Sequence, residues 1–115
     1  MPFEVLIMGR HSRPYLANFR SMTWEKVEGG GAVGRTKRFS ASDHETIRVL
    51  ELDPKWDEKE WCTKKHAGYV LSGALRLNLA AGPPFLVQKG DGFFVPKGCA
   101  HKAGCKRVTT LLLVD

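Results

Sequence analysis

The sequence predicts an all-β protein, either a sandwich or a barrel. Short runs of β-branched and apolar residues follow one another from Arg35 onward, and Gly/Pro turns separate them at intervals of roughly ten residues. The segment 74–80 alternates strictly, with Leu75, Leu77 and Leu79 on one face. No amphipathic helix longer than about two turns is visible in the sequence. We therefore expect one compact domain made of short strands.

The strands are separated by clear turn signals. The turn Gly82-Pro83-Pro84 divides two of them, and a proline or glycine stands near the ends of several others. The predicted strands are 46–52, 74–80, 85–87, 93–95 and 108–114.

The first 40 residues differ from the rest of the chain. Phe3, Val5 and Ile7 alternate as one strand would, and the three glycines of 29–31 indicate a loop or a hairpin. Within a single domain we therefore distinguish two parts. Residues 1–40 are predicted to be an N-terminal arm that packs on the barrel or on a partner subunit, and residues 41–115 form the barrel itself.

The net charge and its distribution bear on whether the protein binds nucleic acid or a small molecule. The net charge is +6, which would suit nucleic acid, but the sequence has no run of basic residues and no helix-turn-helix or RNA-binding pattern. We therefore expect no nucleic-acid partner, and the basic surface would instead attract an anionic small molecule.

The three cysteines are irregularly spaced, which does not suggest a disulfide framework. No apolar stretch is long enough to span a membrane, and no basic leader precedes the first apolar residues, so we expect a cytoplasmic protein.

The run from Gly90 to His101 is the most specific feature of the sequence. Residues 93–95 read as a short buried strand, which Pro96 ends because proline cannot donate to a ladder. Gly98 then permits a tight bend, and His101 follows at the start of the next strand. This spacing delivers one histidine to a fixed place.

A second group of candidate ligands lies upstream. Glu60 and Cys62 are two residues apart, so on a strand they would face the same side, and His66 follows four residues later. If these side chains meet His101, one carboxylate, one thiolate and two imidazoles could bind a divalent transition metal. In the alternative interpretation Cys62 is a small buried hydrophobe, and the pocket contains no metal.

These two runs resemble the two sequence motifs of the cupin family. The second motif of that family is Gly, five residues, Pro, one residue, Gly, two residues and His, and it is matched by Gly90, Pro96, Gly98 and His101. The segment 69–73, Tyr-Val-Leu-Ser-Gly, is typical of the first motif. The rest of that motif is substituted, since His66 stands at the family's glutamate position and Glu60 and Cys62 stand at its two histidine positions.

The resemblance implies a double-stranded β-helix, the jelly-roll barrel of the cupins, with a site in its interior. We expect a metal site made of Glu60, Cys62, His66 and His101, which zinc or iron would fill, with nickel and manganese as further candidates, or no metal at all. The candidate pocket-lining residues are Trp61, Tyr69 and Cys105.

Three functions stay open at this point. The first is a metal-dependent enzyme that acts on a small molecule. The second is a non-catalytic binding or sensor cupin without metal, and the third is a redox-sensitive protein that pairs the thiols of Cys62 and Cys105. The sequence does not decide whether the chain is an enzyme. Cupins often pair through their sheets or swap N-terminal strands, and the arm of residues 1–40 would suit such a role, so the resemblance also implies a homodimer.

Overall fold

The computed structural model describes residues 15–29, 31–40 and 45–115. The strand predicted from Phe3 to Ile7 lies outside these residues. Within the described residues the chain forms nine strands and one short 3-10 turn at Phe19–Ser21, so the all-β prediction is confirmed. The strands are β1 Glu25–Gly29, β2 Ala32–Ser40, β3 Thr46–Leu52, β4 His66–Ser72, β5 Ala74–Leu79, β6 Phe85–Gln88, β7 Gly92–Val95, β8 His101–Gly104 and β9 Thr109–Val114.

The strands form two antiparallel sheets. Within the described residues the larger sheet has six strands in the order β1-β2-β3-β9-β4-β7, and the smaller has three in the order β6-β5-β8. Consecutive strands pair in β1-β2-β3 and β5-β6, whereas β9 lies between β3 and β4, β7 pairs with β4 and β8 pairs with β5. Such long-range antiparallel pairing is typical of a jelly roll, which is the fold class predicted. The strands β1 and β2 lie at one end of the larger sheet, and β2 pairs with β3 from Gly34↔Leu52 to Ser40↔Thr46.

The core lies between the two sheets. Inward-facing side chains of both sheets form one buried apolar cluster, because alternate residues of a strand point to opposite faces. The larger sheet contributes Leu52, Val70, Val95, Leu111 and Leu113, and the smaller sheet contributes Leu75, Leu77 and Val87. The same alternation corrects the prediction that 93–95 is wholly buried, since Phe94 points outward and is 61% exposed.

An irregular segment extends the smaller sheet beyond β8. Single bridges join Asp57 to Gly104 and Cys62 to His101. The segment thus advances five residues while β8 advances three, so two extra residues are accommodated between the bridges, as in a β-bulge. The Glu58 carboxylate occupies part of this gap by accepting a hydrogen bond of 2.9 Å from the Ala103 amide.

Gly73 connects the two sheets. It lies between β4 of the larger sheet and β5 of the smaller one, and its φ is +83°. A Cβ atom there would lie 2.5 Å from the Thr109 Oγ1 atom. A left-handed backbone and a close neighbour both favour glycine at this crossing.

Among the described residues, no helix has the length and apolar character needed to cross a membrane.

Candidate metal centre

His101 is the most buried titratable group of the candidate site, with 3% of its surface exposed. It is the first residue of β8, and its backbone exchanges two hydrogen bonds of 2.9 Å with Cys62. Its Nδ1 atom lies 2.8 Å from the Cys99 carbonyl oxygen. Since a carbonyl can only accept, Nδ1 carries a proton, and in the neutral ring Nε2 presents its lone pair. That Nε2 atom is buried and has no hydrogen-bond partner among the described residues.

Cys62 and His66 lie beside the His101 ring. The Cys62 Sγ atom lies 3.7 Å from His66 Nε2, and the two imidazole rings meet edge to face with centroids 5.1 Å apart. One donor atom from each of Cys62, His66 and His101 lies within 4.8 Å of the other two. Ordinary zinc–sulfur and zinc–nitrogen bonds in a tetrahedral site place S and N about 3.6 Å apart. The donor set and its spacing therefore fit a transition metal.

Glu60 is the predicted ligand that the structure does not bring into this group. It lines the same cavity, but it is exposed, and the clustered donor atoms are those of the cysteine and the two histidines. The expectation that Glu60 and Cys62 share one face assumed a regular strand. The two extra residues between the Asp57 and Cys62 bridges break that periodicity.

Asp115 and Arg48 continue the site behind His66. His66 Nδ1 donates to Asp115 Oδ1 over 3.1 Å, and Arg48 Nη2 lies 2.8 Å from Asp115 Oδ2. Burial raises the pKa of the Asp115 carboxyl, but the hydrogen bond from His66 and the charge of Arg48 together outweigh this effect, so the pKa lies below its usual value. The group is therefore an ionised carboxylate at neutral pH.

Our sequence reasoning missed these two residues. Arg48 shares the inward face of β3 with Leu50 and Leu52, and all three line the cavity. Asp115 follows Leu111 and Leu113 at the same spacing of two residues. The sequence did contain a sign of them: each is a charged residue at a position where the alternation of the strand predicts an inward-facing apolar side chain. A charged residue at such a position needs a buried partner.

An open cavity of about 720 Å³ lies beside the three donor atoms. Most of its wall is apolar and belongs to both sheets. The apolar side chains include Leu50, Leu52, Trp56, Leu75, Leu77, Phe93, Leu111 and Leu113. The cavity is large enough for a small organic molecule.

One of the three predicted pocket-lining residues lines this cavity. Trp61 does so while remaining 47% exposed, and the Lys102 ammonium lies 4.3 Å from its ring centroid. Tyr69 does not line it, because Val70 is fully buried and its neighbours on β4 point to the outer face.

Cys105 does not line the cavity either, because β8 ends at Gly104 and the chain then changes course. The Cys105 amide donates to the Trp56 carbonyl and its thiol to the Asp53 carbonyl, at 3.0 and 3.2 Å. It borders a separate hollow of about 520 Å³ on the smaller sheet. All three cysteines are free. Cys62 and Cys105 thus border different cavities.

Several solved structures share this architecture, and two of them are described as cupins. An RmlC-like cupin from Shewanella frigidimarina is 19% identical, with a TM-score of 0.72, and the match covers 87% of each chain. The EutQ protein of Clostridium difficile is 17% identical, with a TM-score of 0.69 over 84% of this chain and 82% of that one. KdgF from a Halomonas species is 19% identical, with a TM-score of 0.67 over 83% and 88%.

No protein-family model matches the chain, and no curated protein matches it either. The fold is that of a small cupin, and it has a Cys/His/His group beside its inner cavity. This group differs from the histidine pair and glutamate of the motif that the sequence resembles.

Proposed function

We propose that this protein is a metal-binding cupin that acts on a small molecule held in the inner cavity, with Cys62, His66 and His101 as the metal ligands. The observation that carries the proposal is the buried His101 Nε2 atom, for which the described part of the chain supplies no hydrogen-bond partner. A buried polar atom without a partner costs free energy, and a metal ion shared with the two neighbouring donors would remove that cost.

The donor types favour zinc first and iron(II) second. A cysteine thiolate favours zinc over harder ions, while imidazoles suit zinc, iron and nickel. When bound, such an ion supplies a Lewis acid that polarises a substrate oxygen or acidifies a water molecule.

The number of ligands supports a reactive site. Structural zinc sites are closed by four protein ligands, whereas catalytic sites use three and leave one position for water or substrate. The described residues offer three clustered donor atoms beside the cavity. Glu60, the fourth ligand predicted from the sequence, lines the same cavity, and its binding to the ion would close the site, which is why the effect of Glu60→Gln is tested below.

The cavity wall would hold the organic part of a substrate. Leucines from both sheets exclude water from its floor, and Trp61 stands at its border with an exposed ring that can stack on a ligand. Arg48 is the cation on the inward face of β3, so a small anionic molecule is the ligand class that we propose.

A second candidate function keeps the cavity and omits the metal. The Arg48 Nε atom is buried and has no hydrogen-bond partner within residues 15–29, 31–40 and 45–115, which favours an anionic ligand at that end of the cavity. In this case the protein binds or senses a small molecule without catalysis.

Metal analysis of the protein purified without a histidine tag or chelator separates the two functions. We expect about one equivalent of zinc or iron per chain, and at least a roughly tenfold loss in Cys62→Ala and His101→Ala. Cys99→Ala is the matched control, since it removes a half-buried thiol but keeps the carbonyl that holds His101. No metal after reconstitution, or equal metal in all four proteins, would sink the proposal.

We also propose a cytoplasmic homodimer that pairs through the outer face of the larger sheet. Phe94, Tyr69, Leu71 and Val114 lie on the neighbouring strands β7, β4 and β9 and expose apolar surface there. Sedimentation velocity at micromolar concentration should show a dimer, and Phe94→Glu should give a monomer. Leu86→Glu, on the smaller sheet, is the control that stays dimeric, and a monomeric parent protein would refute the pairing.

A further inference from the structure

Arg48, Asp115 and His66 form a row across three neighbouring strands of the larger sheet. Arg48 lies on β3, Asp115 directly follows β9, and His66 begins β4, in the spatial order β3-β9-β4. The backbone of Asp115 exchanges two hydrogen bonds of 2.9 Å with Thr46, which fixes where its side chain starts. The position of the carboxylate is thus set by the sheet.

Both carboxylate oxygens of Asp115 are used in this row. Oδ1 accepts from His66 Nδ1 over 3.1 Å, and Oδ2 lies 2.8 Å from Arg48 Nη2. All three side chains are largely buried, with 15% to 27% of their surface exposed. Hydrogen bonds to a partly buried ionised group are shorter and stronger than those between neutral groups.

A neutral imidazole has one protonated and one unprotonated nitrogen, and only the unprotonated one can bind a metal. A carboxylate can only accept a hydrogen bond, so Asp115 keeps the proton of His66 on Nδ1. The Nε2 atom, which faces Cys62, then presents a lone pair. In the other tautomer an N–H group would point at the neighbouring donor atoms instead.

His101 obtains the same tautomer from a different partner. Its Nδ1 donates to the Cys99 carbonyl over 2.8 Å, so its Nε2 also presents a lone pair. In the neutral state both histidines therefore leave the same ring atom, Nε2, unprotonated before any ligand binds. The tautomer of His101 is set by a backbone carbonyl, whereas that of His66 is set by the Asp115 side chain. Only the second partner can be replaced by mutation.

We infer that Asp115 is a positioning residue of the metal centre, which Arg48 holds in place and which sets the tautomer and ring orientation of His66. The inference rests on the proposed metal binding, and it assigns a role to two residues that do not themselves contact the ion. A carboxylate behind a ligating histidine orients the ring, and loss of such a partner typically lowers metal affinity about 10- to 100-fold.

The ion pair could instead only hold β3 and β9 together. In that case its loss would lower the stability of the fold but would leave the tautomer of His66 unchanged. The tautomer is therefore the readout that separates positioning from a structural role.

The test uses the metal-free protein and nitrogen-15 NMR of the imidazole rings. We would record the tautomer of His66 at about pH 8, above the ordinary histidine pKa of about 6.5. The parent protein should show a proton on Nδ1 of both His66 and His101. Asp115→Asn should shift His66 toward the Nε2 form, since the amide can turn its NH2 group toward Nδ1. His101 should be unaffected.

Zinc titration of the same proteins supplies the second readout. Asp115→Asn should bind zinc about 10- to 100-fold more weakly, and Arg48→Met should act in the same direction by a smaller factor. Asp57→Asn is the matched control. It neutralises an exposed aspartate that pairs with Lys59 and Arg76, and it should leave the tautomer and the zinc affinity unchanged.

Retention of the Nδ1 proton on His66 in Asp115→Asn would overturn the inference, whatever the zinc affinity. If Asp115→Asn does not fold, the double variant Arg48→Met/Asp115→Ala, which leaves neither charge of the pair buried alone, carries the same comparison, and retention of the Nδ1 proton on His66 there would overturn the inference. A parent protein that binds no metal would refute the proposed function. The role in metal binding would then fail with it, while the NMR result would still decide whether Asp115 sets the tautomer.

Discussion

His66 and Asp115 are 49 positions apart in the sequence, yet His66 Nδ1 and Asp115 Oδ1 lie 3.1 Å apart. The contact joins the start of β4 to the residue after β9, since Ala67 pairs with Val114 one step further in. The pairing of these two strands thus places the Asp115 carboxylate at Nδ1 of His66, while Nε2 of the same ring faces Cys62.

Metal binding should stabilise the fold measurably. A ligand at about 100 times its Kd adds about 2.7 kcal/mol to the free energy of unfolding if it binds only the folded chain. We expect zinc to raise the Tm of the chelator-treated protein by several degrees in a calorimetric scan. The increment should vanish in His101→Ala, whatever the starting Tm of that variant. An equal increment in His101→Ala would place the zinc elsewhere.

Replacement of Glu60 should have a small effect on metal affinity. Its carboxylate is exposed and lies outside the group of three donor atoms, so Glu60→Gln should change zinc affinity by less than about tenfold. Cys62→Ser should reduce it far more, because the thiolate is lost. Competition with a chromogenic chelator measures both values. Equal losses would identify Glu60 as the fourth ligand.

The three thiols should react at different rates. Burial raises the pKa of the Cys105 thiol, and only 6% of the residue is exposed, so it should be alkylated last in the folded, metal-free protein. Zinc should protect Cys62 and leave the rate at Cys99 unchanged. Peptide mass spectrometry after timed iodoacetamide treatment reports each site, and protection of Cys99 to the same degree would indicate general tightening of the fold.

Gly73 should be far less tolerant of substitution than Gly90. Both have positive φ, which costs a non-glycine residue about 1 to 2 kcal/mol. A Cβ at Gly73 also meets the Thr109 Oγ1 and Val108 carbonyl oxygens at 2.5 Å, whereas Gly90 has no atom within 4 Å. Gly73→Ala should cost about 3 kcal/mol or more and Gly90→Ala about 1 kcal/mol in urea unfolding. Similar losses would show that the backbone conformation alone matters.

The site residues that could be predicted from the sequence are those whose positions depend on short-range spacing along the chain. The turn before His101 is set by Pro96 and Gly98 within a few residues, and β8 begins at His101 as the motif predicts. Cys62 and His66 were also predicted as ligands, and the structure brings their donor atoms together with His101.

The features of the site that could not be predicted depend on pairing between strands that are distant in the sequence. The position of Glu60 follows from two extra residues opposite β8, and no local sequence pattern predicts this irregularity. Arg48 and Asp115 meet because β9 lies between β3 and β4, and the register of that pairing is not readable from either strand alone.

The central place of β9 in the larger sheet also bears on how the protein is made. It pairs with β3 on one side and β4 on the other, so a nascent chain that ends before Thr109 leaves both of those strands with an open edge. Such edges are hazards for aggregation until the missing strand arrives. The contact between His66 and Asp115 can therefore form only after synthesis has reached the last residues of β9 and Asp115 itself.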